Sequence, residues 1–493
     1  MSTLGLVSLL VLCLLGISLT LAYPSSLTSL RRDSPLARTH AHTAPHRSLF
    51  AAESSAPDIP VETPIFDGLV TLLVSSSYMS IIVTIMTLPP CLSYIYRDPS
   101  FLGTERLPAV LFLATLATMA GKFSLGPPTD QLGGNLVMKL AMLSSSLLLL
   151  LCSFSHSALS FGSLWVLLSF FYATPWGACS KLIRDIFPQE QWASKLGLVA
   201  AFSRLGSLGS SILYGALLSK NRDWKMTFRI SALIQAVFFV VYIAADRFVQ
   251  LDRLSHHSSI SKINSAQGKT VSSVLRKVSQ NPIFWSMFLG KIVLMVVGQF
   301  ISFIPLYLTT GIRLEPDYAA KCAACFSTGS LFSNLVGAKY YQKLTPKGKV
   351  SVVSFANLIA TACSGILAAH AMGVIGLTVA QIISLLTTWG ATWATAFYVP
   401  PGIVALELGG VRHAALITNV LYLLYRWLGL TDLMLQIFDA GGFFGAAVFS
   451  YYGMKYGQIG AWGGVLGSLS VCGFVAFIAM FTAMSIALAG KDA

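Results

Sequence analysis

The sequence predicts an all-α membrane protein with twelve transmembrane helices in two halves of six. The first observation is composition, because 55% of the 493 residues are hydrophobic and only 11% are charged, whereas a soluble domain carries about 25% charged residues. The second is that apolar stretches of about 20 residues, the length that crosses a bilayer, recur along the chain. The third is that no stretch alternates in the way of a membrane β-barrel. Helices satisfy their own backbone hydrogen bonds in lipid, so they are the expected element.

Twelve apolar stretches, numbered spans 1 to 12, are separated by short polar loops. A longer basic stretch follows span 6. It divides the chain into an amino-terminal half at 61–246, a central linker at 247–282 and a carboxy-terminal half at 283–493. The predicted spans lie near 68–94, 107–126, 136–154, 160–182, 193–218, 227–245, 283–308, 317–338, 350–371, 374–398, 409–453 and 458–488.

The first 60 residues are predicted to be a targeting sequence and not part of the helical domain. Residues 1–22 form an apolar run that ends in small residues, as a signal peptide does, and residues 23–60 are rich in Arg, Ser and Thr and poor in acids, as a transit peptide is. The junction Ala22-Tyr23-Pro24 is similar to the cleavage motif of the two-part leaders of complex plastids. This predicts a multi-pass protein of the plastid envelope. An uncleaved anchor in an endomembrane or the plasma membrane is the alternative.

The positions of the basic residues predict an orientation. The formal net charge is +14, but the charge is spread over the loops, so nucleic-acid binding is not expected. Fifteen Lys and Arg lie in the linker and in the loops after even-numbered spans, against seven in the loops after odd-numbered spans. By the positive-inside rule, the linker, the even loops and both termini face the cytosol-like side.

Span 11 is too long for a single crossing. It covers 409–453 and is interrupted by Arg426 and Asp432, whereas about 20 residues suffice. Removal of the segment 420–436 restores one span of ordinary length. The codons of Val420 and Gln436 are compatible with the borders of an in-frame intron, so a retained intron is one explanation. A genuine insertion at the membrane surface is the other.

The sequence carries no pattern for enzymatic chemistry. The eight cysteines are scattered through apolar runs, so no disulfide framework is predicted. Cys322 and Cys325 have the spacing of a redox or metal pair, and small packing residues on a helix are the simpler interpretation. There is no nucleotide-binding loop, metal cluster or nucleophile arrangement in the sequence. We therefore predict neither an enzyme nor a bound cofactor or metal.

A turn signal follows span 2. Residues 121–133 read Gly-Lys-Phe-Ser-Leu-Gly-Pro-Pro-Thr-Asp-Gln-Leu-Gly, which predicts a tight turn over 126–133 with Asp130 at the membrane face. The segment resembles the loop between the second and third helices of the major facilitator superfamily. Residues 337–348, after span 8, are a weaker copy at the equivalent position. The resemblance implies the major facilitator fold and a solute carrier whose two halves rock against each other.

Within that superfamily the chain resembles the organophosphate–phosphate antiporters, which include glucose-6-phosphate and glycerol-3-phosphate carriers. The likeness rests on Lys122-Phe-x-x-Gly126-x-x-x-Asp130 and on the segments 175–187, 224–228 and 281–285. Those carriers bind phosphate with an arginine of the first helix and another of the seventh. Span 1 contains no arginine in its apolar stretch, and the seventh-helix position falls near Gly298. The resemblance therefore does not carry this pair of arginines over.

Ionisable residues inside apolar spans are costly and usually face a cavity. Cations outnumber carboxylates in these spans, which favours an anionic solute. Lys181 and Lys321 lie near span ends and are expected to be peripheral. The candidate substrate-binding residues are Lys122, Arg204 and Lys291, with Tyr78 of span 1. The candidate gating residues are Gly126, Asp130, Gly133, Arg184 and Asp439.

The sequence thus predicts a secondary carrier that moves a small organic anion, with phosphate as the exchanged ion if the family resemblance extends to the substrate. It is expected to work as a monomer in the lipid bilayer. Asp130 and Arg184 are interpreted as a gate between helices. Asp439 is interpreted as a gate partner, with proton coupling as the alternative. A carrier of a neutral sugar or drug-like solute is the main rival, and a membrane sensor that no longer transports is the other.

Overall fold

The computed structural model describes residues 64–221, 223–251, 282–337, 340, 344–397 and 433–489. The predicted signal peptide and leader, most of the linker and most of the segment 420–436 lie outside these residues. Contacts divide the chain into two units, Met1–Leu72 and Leu73–Ala493. The described part of the first unit is the start of the first helix, where the Thr71 hydroxyl donates to the Asp67 carbonyl at 2.6 Å. The packing described below lies within the second unit.

Helices lie at all six predicted positions of the amino-terminal half. Span 1 consists of Pro64–Ile85 and Leu88–Arg97, and span 4 of Ala158–Phe171 and Pro175–Ile186. Both second pieces have a proline in their first two positions, where its missing N–H is tolerated but cannot continue the preceding helix. The other spans are single helices, at Leu107–Leu132, Gly134–Cys152, Gln189–Asn221 and Trp224–Val249.

The carboxy-terminal half is helical at the corresponding positions. Span 7 is Pro282–Gln299, followed by a 3₁₀ turn, the short helix Ile304–Leu306 and a π-helical turn at Tyr307–Gly311. Span 8 consists of Pro316–Cys322 and Ala324–Phe332, and spans 9 to 12 are Pro346–Ala371, 379–397, Leu433–Gln458 and Trp462–Ala489. Among the described residues, eight helical segments are long and apolar enough to cross a membrane. The prediction of an all-α membrane protein is confirmed.

The turn between spans 2 and 3 differs from its prediction. The helix of span 2 continues through both prolines to Leu132 and the next begins at Gly134, so the connection is Gly133 alone and not 126–133. Gly133 has a φ of +86° and a ψ of 147°, a conformation that glycine adopts at little cost. A membrane helix tolerates prolines where water or neighbouring groups satisfy the freed carbonyls. The expected short connection is present, but its predicted position was wrong.

The two halves repeat the same packing. Span 3 packs on span 6 as span 9 packs on span 12. Span 2 is in backbone contact with span 4, where a Cβ on Gly121 would overlap the Phe170 carbonyl. Span 8 is likewise in backbone contact with span 10, where a Cβ on Gly329 would overlap the Thr387 carbonyl. Small residues at such crossings let two membrane helices approach closely. The repeat is what a fold of two six-helix halves requires.

Among the described residues, the helix contacts that join the halves within the second unit include three sets. Span 2 contacts span 11, span 5 contacts span 8, and the end of span 1 contacts both Ile304–Leu306 and Pro316–Cys322. Between spans 2 and 11, the rings of Phe112 and Tyr451 meet edge to face with centroids 6.5 Å apart. The candidate substrate-binding residues lie on these joining spans and on span 7.

Hydrogen-bonded carboxylates fix both ends of span 6. At its start, Asp98 accepts from the indole N–H of Trp224 at 2.9 Å. At its end, Asp246 accepts from the Lys139 ammonium at 2.6 Å and from the Asn135 amide at 3.0 Å. Asn135 and Asp246 are buried. Span 6 is thereby tied to the end of span 1 at one face and to span 3 at the other.

Candidate substrate site

Three of the four predicted substrate-binding side chains are half-buried cations. Lys122 lies on span 2, Arg204 on span 5 and Lys291 on span 7. Each is placed over the face of an aromatic ring that belongs to another span. The negative face of an aromatic ring attracts a cation, and the attraction is worth about 0.5–2 kcal/mol depending on exposure. The three cations therefore share one type of environment.

Arg204 and Lys291 are joined by a stacked aromatic pair on span 10. The rings of Trp393 and Phe397 stack with centroids 5.0 Å apart and an interplanar angle of 21°. The Arg204 guanidinium carbon lies 5.3 Å from the Trp393 centroid, and the Lys291 ammonium lies 3.2 Å from the Phe397 centroid. The same ammonium is 3.4 Å from the Phe397 carbonyl oxygen. We call this arrangement of Arg204, Trp393, Phe397 and Lys291 the ladder.

Trp393 is held in the ladder by span 7. Its indole N–H donates to the Leu294 carbonyl at 2.8 Å, and the side chain is buried. Its ring fills the space above Gly298, where an added Cβ would overlap it. The family resemblance places the seventh-helix arginine near Gly298. In this chain the indole ring fills the space above that glycine and leaves no room for a side chain there.

Lys122 meets span 11. Its ammonium lies 4.7 Å from the Phe443 centroid. The adjacent Gly442 packs directly against Met295 of span 7, and Met295 lies one helical turn after Lys291, on the same face. Span 11 therefore contacts both Lys122 of span 2 and the face of span 7 that carries Lys291.

Tyr78 lies beside span 5. Its ring is 5.5 Å from that of Trp176 on span 4. The carbonyl oxygen of the next residue, Met79, would lie only 2.8 Å from a Cβ added to Gly206 of span 5. Gly206 is two residues from Arg204, so spans 1 and 5 are in backbone contact next to both candidates.

A cation on an aromatic face keeps its positive charge and therefore still attracts an anion. A guanidinium holds a carboxylate or phosphate with two parallel hydrogen bonds, and an ammonium acts as a compact charge. Such contacts are stronger in the low dielectric of a membrane protein than in water. Arg204 belongs to the amino-terminal half and Lys291 to the carboxy-terminal half, so an anion bound to both would join the two halves.

The gating residues are only partly described. Gly126 lies within the helix of span 2, and Gly133 forms the turn after it. Arg184 lies in the last turn of span 4, where its Nε donates to a carbonyl one turn earlier at 3.1 Å. The side chains of Asp130 and Asp439 lie outside the described residues, so their gating roles stay predictions.

Two further cations have carboxylate neighbours one helical turn away. The Lys181 ammonium lies 3.3 Å from Asp185, and the Lys181 side chain is 16% exposed. The Lys321 ammonium lies 3.7 Å from Asp317, and its side chain is 40% exposed. Lys181 was expected to extend toward the interface; it is instead largely buried and neutralised by Asp185. Both lysines thus belong to local ion pairs.

The aromatic partners were not singled out from the sequence, although a signal was present. Trp389, Trp393 and Phe397 are spaced four apart, which places them on one face of a helix. Such a stripe is typical of core packing, and Trp389 does stack on Phe300 with centroids 4.9 Å apart. The same stripe supplies the two rings that face the cations, and Trp393 is itself part of the buried core.

Comparison with known proteins gives a family and a fold. A profile described as Major Facilitator Superfamily matches residues 70–429. Solved structures of a bacterial homolog of the human lysosomal transporter Spinster are similar. The inward-facing, occupied form has a TM-score of 0.57 at 14% identity and covers 86% of this chain and 97% of its own. The inward-facing, unoccupied form has a TM-score of 0.58 at 12% identity, with 87% and 98% covered. No curated protein sequence matches.

Proposed function

Because this chain belongs to the Major Facilitator Superfamily, whose carriers work by alternating access, we propose that it moves a small organic anion across its membrane. The ladder carries the proposal, since Arg204 of one half and Lys291 of the other lie at the ends of one aromatic pair. The solute would bind between the halves, as in other carriers built from repeats. One chain in the bilayer is sufficient for this mechanism.

The ladder suggests how binding and movement are coupled. Arg204 and Lys291 each contact a different ring of the stacked pair. We expect a carboxylate or phosphate that binds one of these cations to attract the other, which favours closure of the halves around the solute. A carrier that closes only when filled exchanges one anion for another. Exchange for phosphate is the form that the organophosphate–phosphate antiporters use, and we propose it here with Arg204 and Lys291 as the ligands.

A carrier of a neutral solute is the second candidate, because of Gly298. The Trp393 ring fills the space above Gly298, near the position that the resemblance assigns to the seventh-helix arginine, so this phosphate ligand has no place there. This candidate predicts that the cations of the ladder can be neutralised with little loss of transport.

Counterflow in proteoliposomes made with the full chain separates these functions. Vesicles are loaded with phosphate and offered labelled phosphate, sugar phosphates, carboxylates or free sugars. Removal of a charge-assisted hydrogen bond costs about 1.5–3 kcal/mol. Arg204→Gln and Lys291→Gln are therefore each expected to slow anion uptake about tenfold to a hundredfold, and Arg204→Lys is expected to slow it less.

Lys220→Gln is the matched control, because Lys220 is an exposed cation at the end of span 5. Its uptake should equal that of the unchanged chain. Anion uptake at full rate in both Gln variants would remove the ladder from the site. Uptake of free sugars alone would establish the neutral-solute carrier. Binding of an anion without any flux would favour the sensor.

We also propose that the protein resides in the plastid envelope. The support is the two-part leader of residues 1–60, whose junction has the small-aromatic-Pro pattern. A fluorescent protein fused behind these residues should accumulate in the plastid, and replacement of Tyr23 by Ala should hold it in the secretory pathway. Delivery of the unchanged fusion to the plasma membrane would contradict the proposal.

A further inference from the structure

A cavity lies at the face that carries the loops after odd-numbered spans. Its volume is about 410 Å³, within the range of sites for small ligands. Both halves of the protein contribute to its wall. Arg97 ends span 1, the stretch 309–316 connects spans 7 and 8, and the stretch 458–460 connects spans 11 and 12. No residue of the ladder lines this cavity.

The charged residues of the wall are mostly basic. Arg97 and Arg313 line it together with one acid, Glu315. All three side chains are exposed, and among the described residues neither guanidinium forms an ion pair with a carboxylate. Arginine is the side chain best suited to hold a carboxylate or phosphate.

A buried amide group in the same wall lacks a partner. The Nε2 of Gln458 is shielded from solvent and has no hydrogen-bond acceptor among the described residues. A buried donor left unsatisfied costs about 1–3 kcal/mol. Rotation of the Gln458 amide toward the cavity would let a bound oxygen atom supply the missing acceptor.

The backbone at Arg313 is held in a conformation that a side chain rarely adopts. Its φ is +64°, in the left-handed region that costs a non-glycine residue roughly 1–2 kcal/mol. The π-helical turn of span 7 precedes it, and the N–H of Leu314 donates back to the Leu308 carbonyl at 2.9 Å. Strain of this kind persists where the surrounding structure enforces it, commonly at binding sites. Here it fixes the direction in which Arg313 leaves the backbone.

We propose that this cavity binds an oxyanion, a carboxylate or a phosphate, between Arg97 and Arg313, with Gln458 as a third donor. Arg97 comes from one half, whereas Arg313 and Gln458 come from the other. The bound oxyanion therefore bridges the halves at this face and stabilises the arrangement in which they meet. The site is separate from the ladder and does not depend on the function proposed above.

Footprinting of arginine in the unchanged full chain tests this directly. Phenylglyoxal modifies exposed guanidinium groups, and mass spectrometry reports the extent at each arginine. Addition of inorganic phosphate in detergent is expected to slow modification of Arg97 and Arg313 several-fold together. Arg106 is the internal control, since it is 65% exposed and lies 3.6 Å from Glu105, outside the cavity. Its modification should not change.

Two further arms identify the source and the ligands. Protection by an anionic phospholipid in nanodiscs, without added phosphate, would mean that a lipid headgroup supplies the oxyanion. Arg97→Gln should abolish phosphate protection at Arg313, and Glu315→Gln should make protection occur at lower phosphate. The proposal is overturned if neither phosphate nor anionic lipid protects the two arginines, or if Arg106 is protected equally. Modification is measured separately at each arginine and requires no transport. The result therefore stands even if Arg204 and Lys291 do not bind the transported solute.

Discussion

The guanidinium carbon of Arg204 lies 5.3 Å from the centroid of the Trp393 ring, although the two residues belong to different halves. A contact between halves has to change whenever the halves rock. An attraction of about 0.5–2 kcal/mol is small enough to break on each cycle. We therefore expect this contact to break and re-form as the halves move.

This contact predicts an energetic coupling that uptake rates can measure. Arg204→Ala, Trp393→Leu and the double variant form a cycle, and we expect a coupling of about 0.5–2 kcal/mol, because the ring orients the guanidinium. Arg229 over Phe154, at 5.2 Å, is a similar pair that lies away from the ladder. The same cycle on that pair should give additive uptake rates. Additivity at Arg204 and Trp393 would mean that the ring does not act on the cation.

Gly298→Ala is predicted to destabilise the protein. The new methyl group would overlap the Trp393 ring, and overpacking of this kind costs about 1–3 kcal/mol. Thermal unfolding should therefore begin at lower temperature. Gly467→Ala is the control, because a Cβ there meets nothing within 4 Å. If Gly298→Ala unfolds like Gly467→Ala, Trp393 can move aside and the space above Gly298 is not tightly filled.

The contact of Asp98 with span 6 predicts a dependence of stability on pH. Burial raises the pKa of Asp98, but hydrogen bonds from Ser100 and Trp224 and the charge of Lys225 outweigh it and hold the pKa below its usual range. The unfolded chain binds this proton near pH ~3.9, so the contact contributes fully above that pH. The contribution is lost as the pH falls through the lower pKa of the folded state.

Thermal unfolding between about pH 3 and pH 6 measures this effect against the unperturbed pKa of ~3.9. The unchanged chain should lose stability toward the acid end, and Asp98→Asn should be less stable at neutral pH with a flatter acid profile. Glu105→Gln is the control, since Glu105 is 72% exposed. An acid profile for Asp98→Asn that parallels the unchanged chain would assign the effect to other groups.

The ion pair at the end of span 6 predicts that removing one partner costs more stability than removing both. Lys139→Met leaves the buried Asp246 carboxylate without its ammonium partner, and we expect a loss of about 1.5–3 kcal/mol in the free energy of unfolding. Asp246→Asn combined with Lys139→Met should cost less than Lys139→Met alone, because no charge is then left unpaired. Denaturant titration of the single and double variants makes the comparison. A double variant as unstable as the sum of the singles would indicate that the pair is not coupled.

Hydropathy predicted the helical spans because lipid offers the backbone no other partner. It did not predict where span 2 ends. The two prolines after Gly126 usually stop a helix, but near a membrane face their freed carbonyls can be satisfied by water. The helix consequently continues to Leu132, and the glycine conformation at Gly133 makes the turn.

The cations of the site could be predicted from the sequence because a charge inside an apolar span stands out. Their aromatic partners could not, because Trp393 and Phe397 lie in a stripe that looks like core. The cavity at Arg97 and Arg313 was equally hidden, since these arginines are far apart in sequence and counted only as loop charges. Which residues meet across the two halves depends on how the helices pack, and a single sequence does not show this.

The indole ring above Gly298 limits how this position can change. With the Trp393 ring there, an arginine has no room at 298 unless residue 393 becomes smaller. That first step loses the packing of the indole, at a cost of about 3–5 kcal/mol. A route from this chain to a large residue at 298 therefore passes through a less stable protein, and the residues around the indole are expected to change more readily than the indole itself.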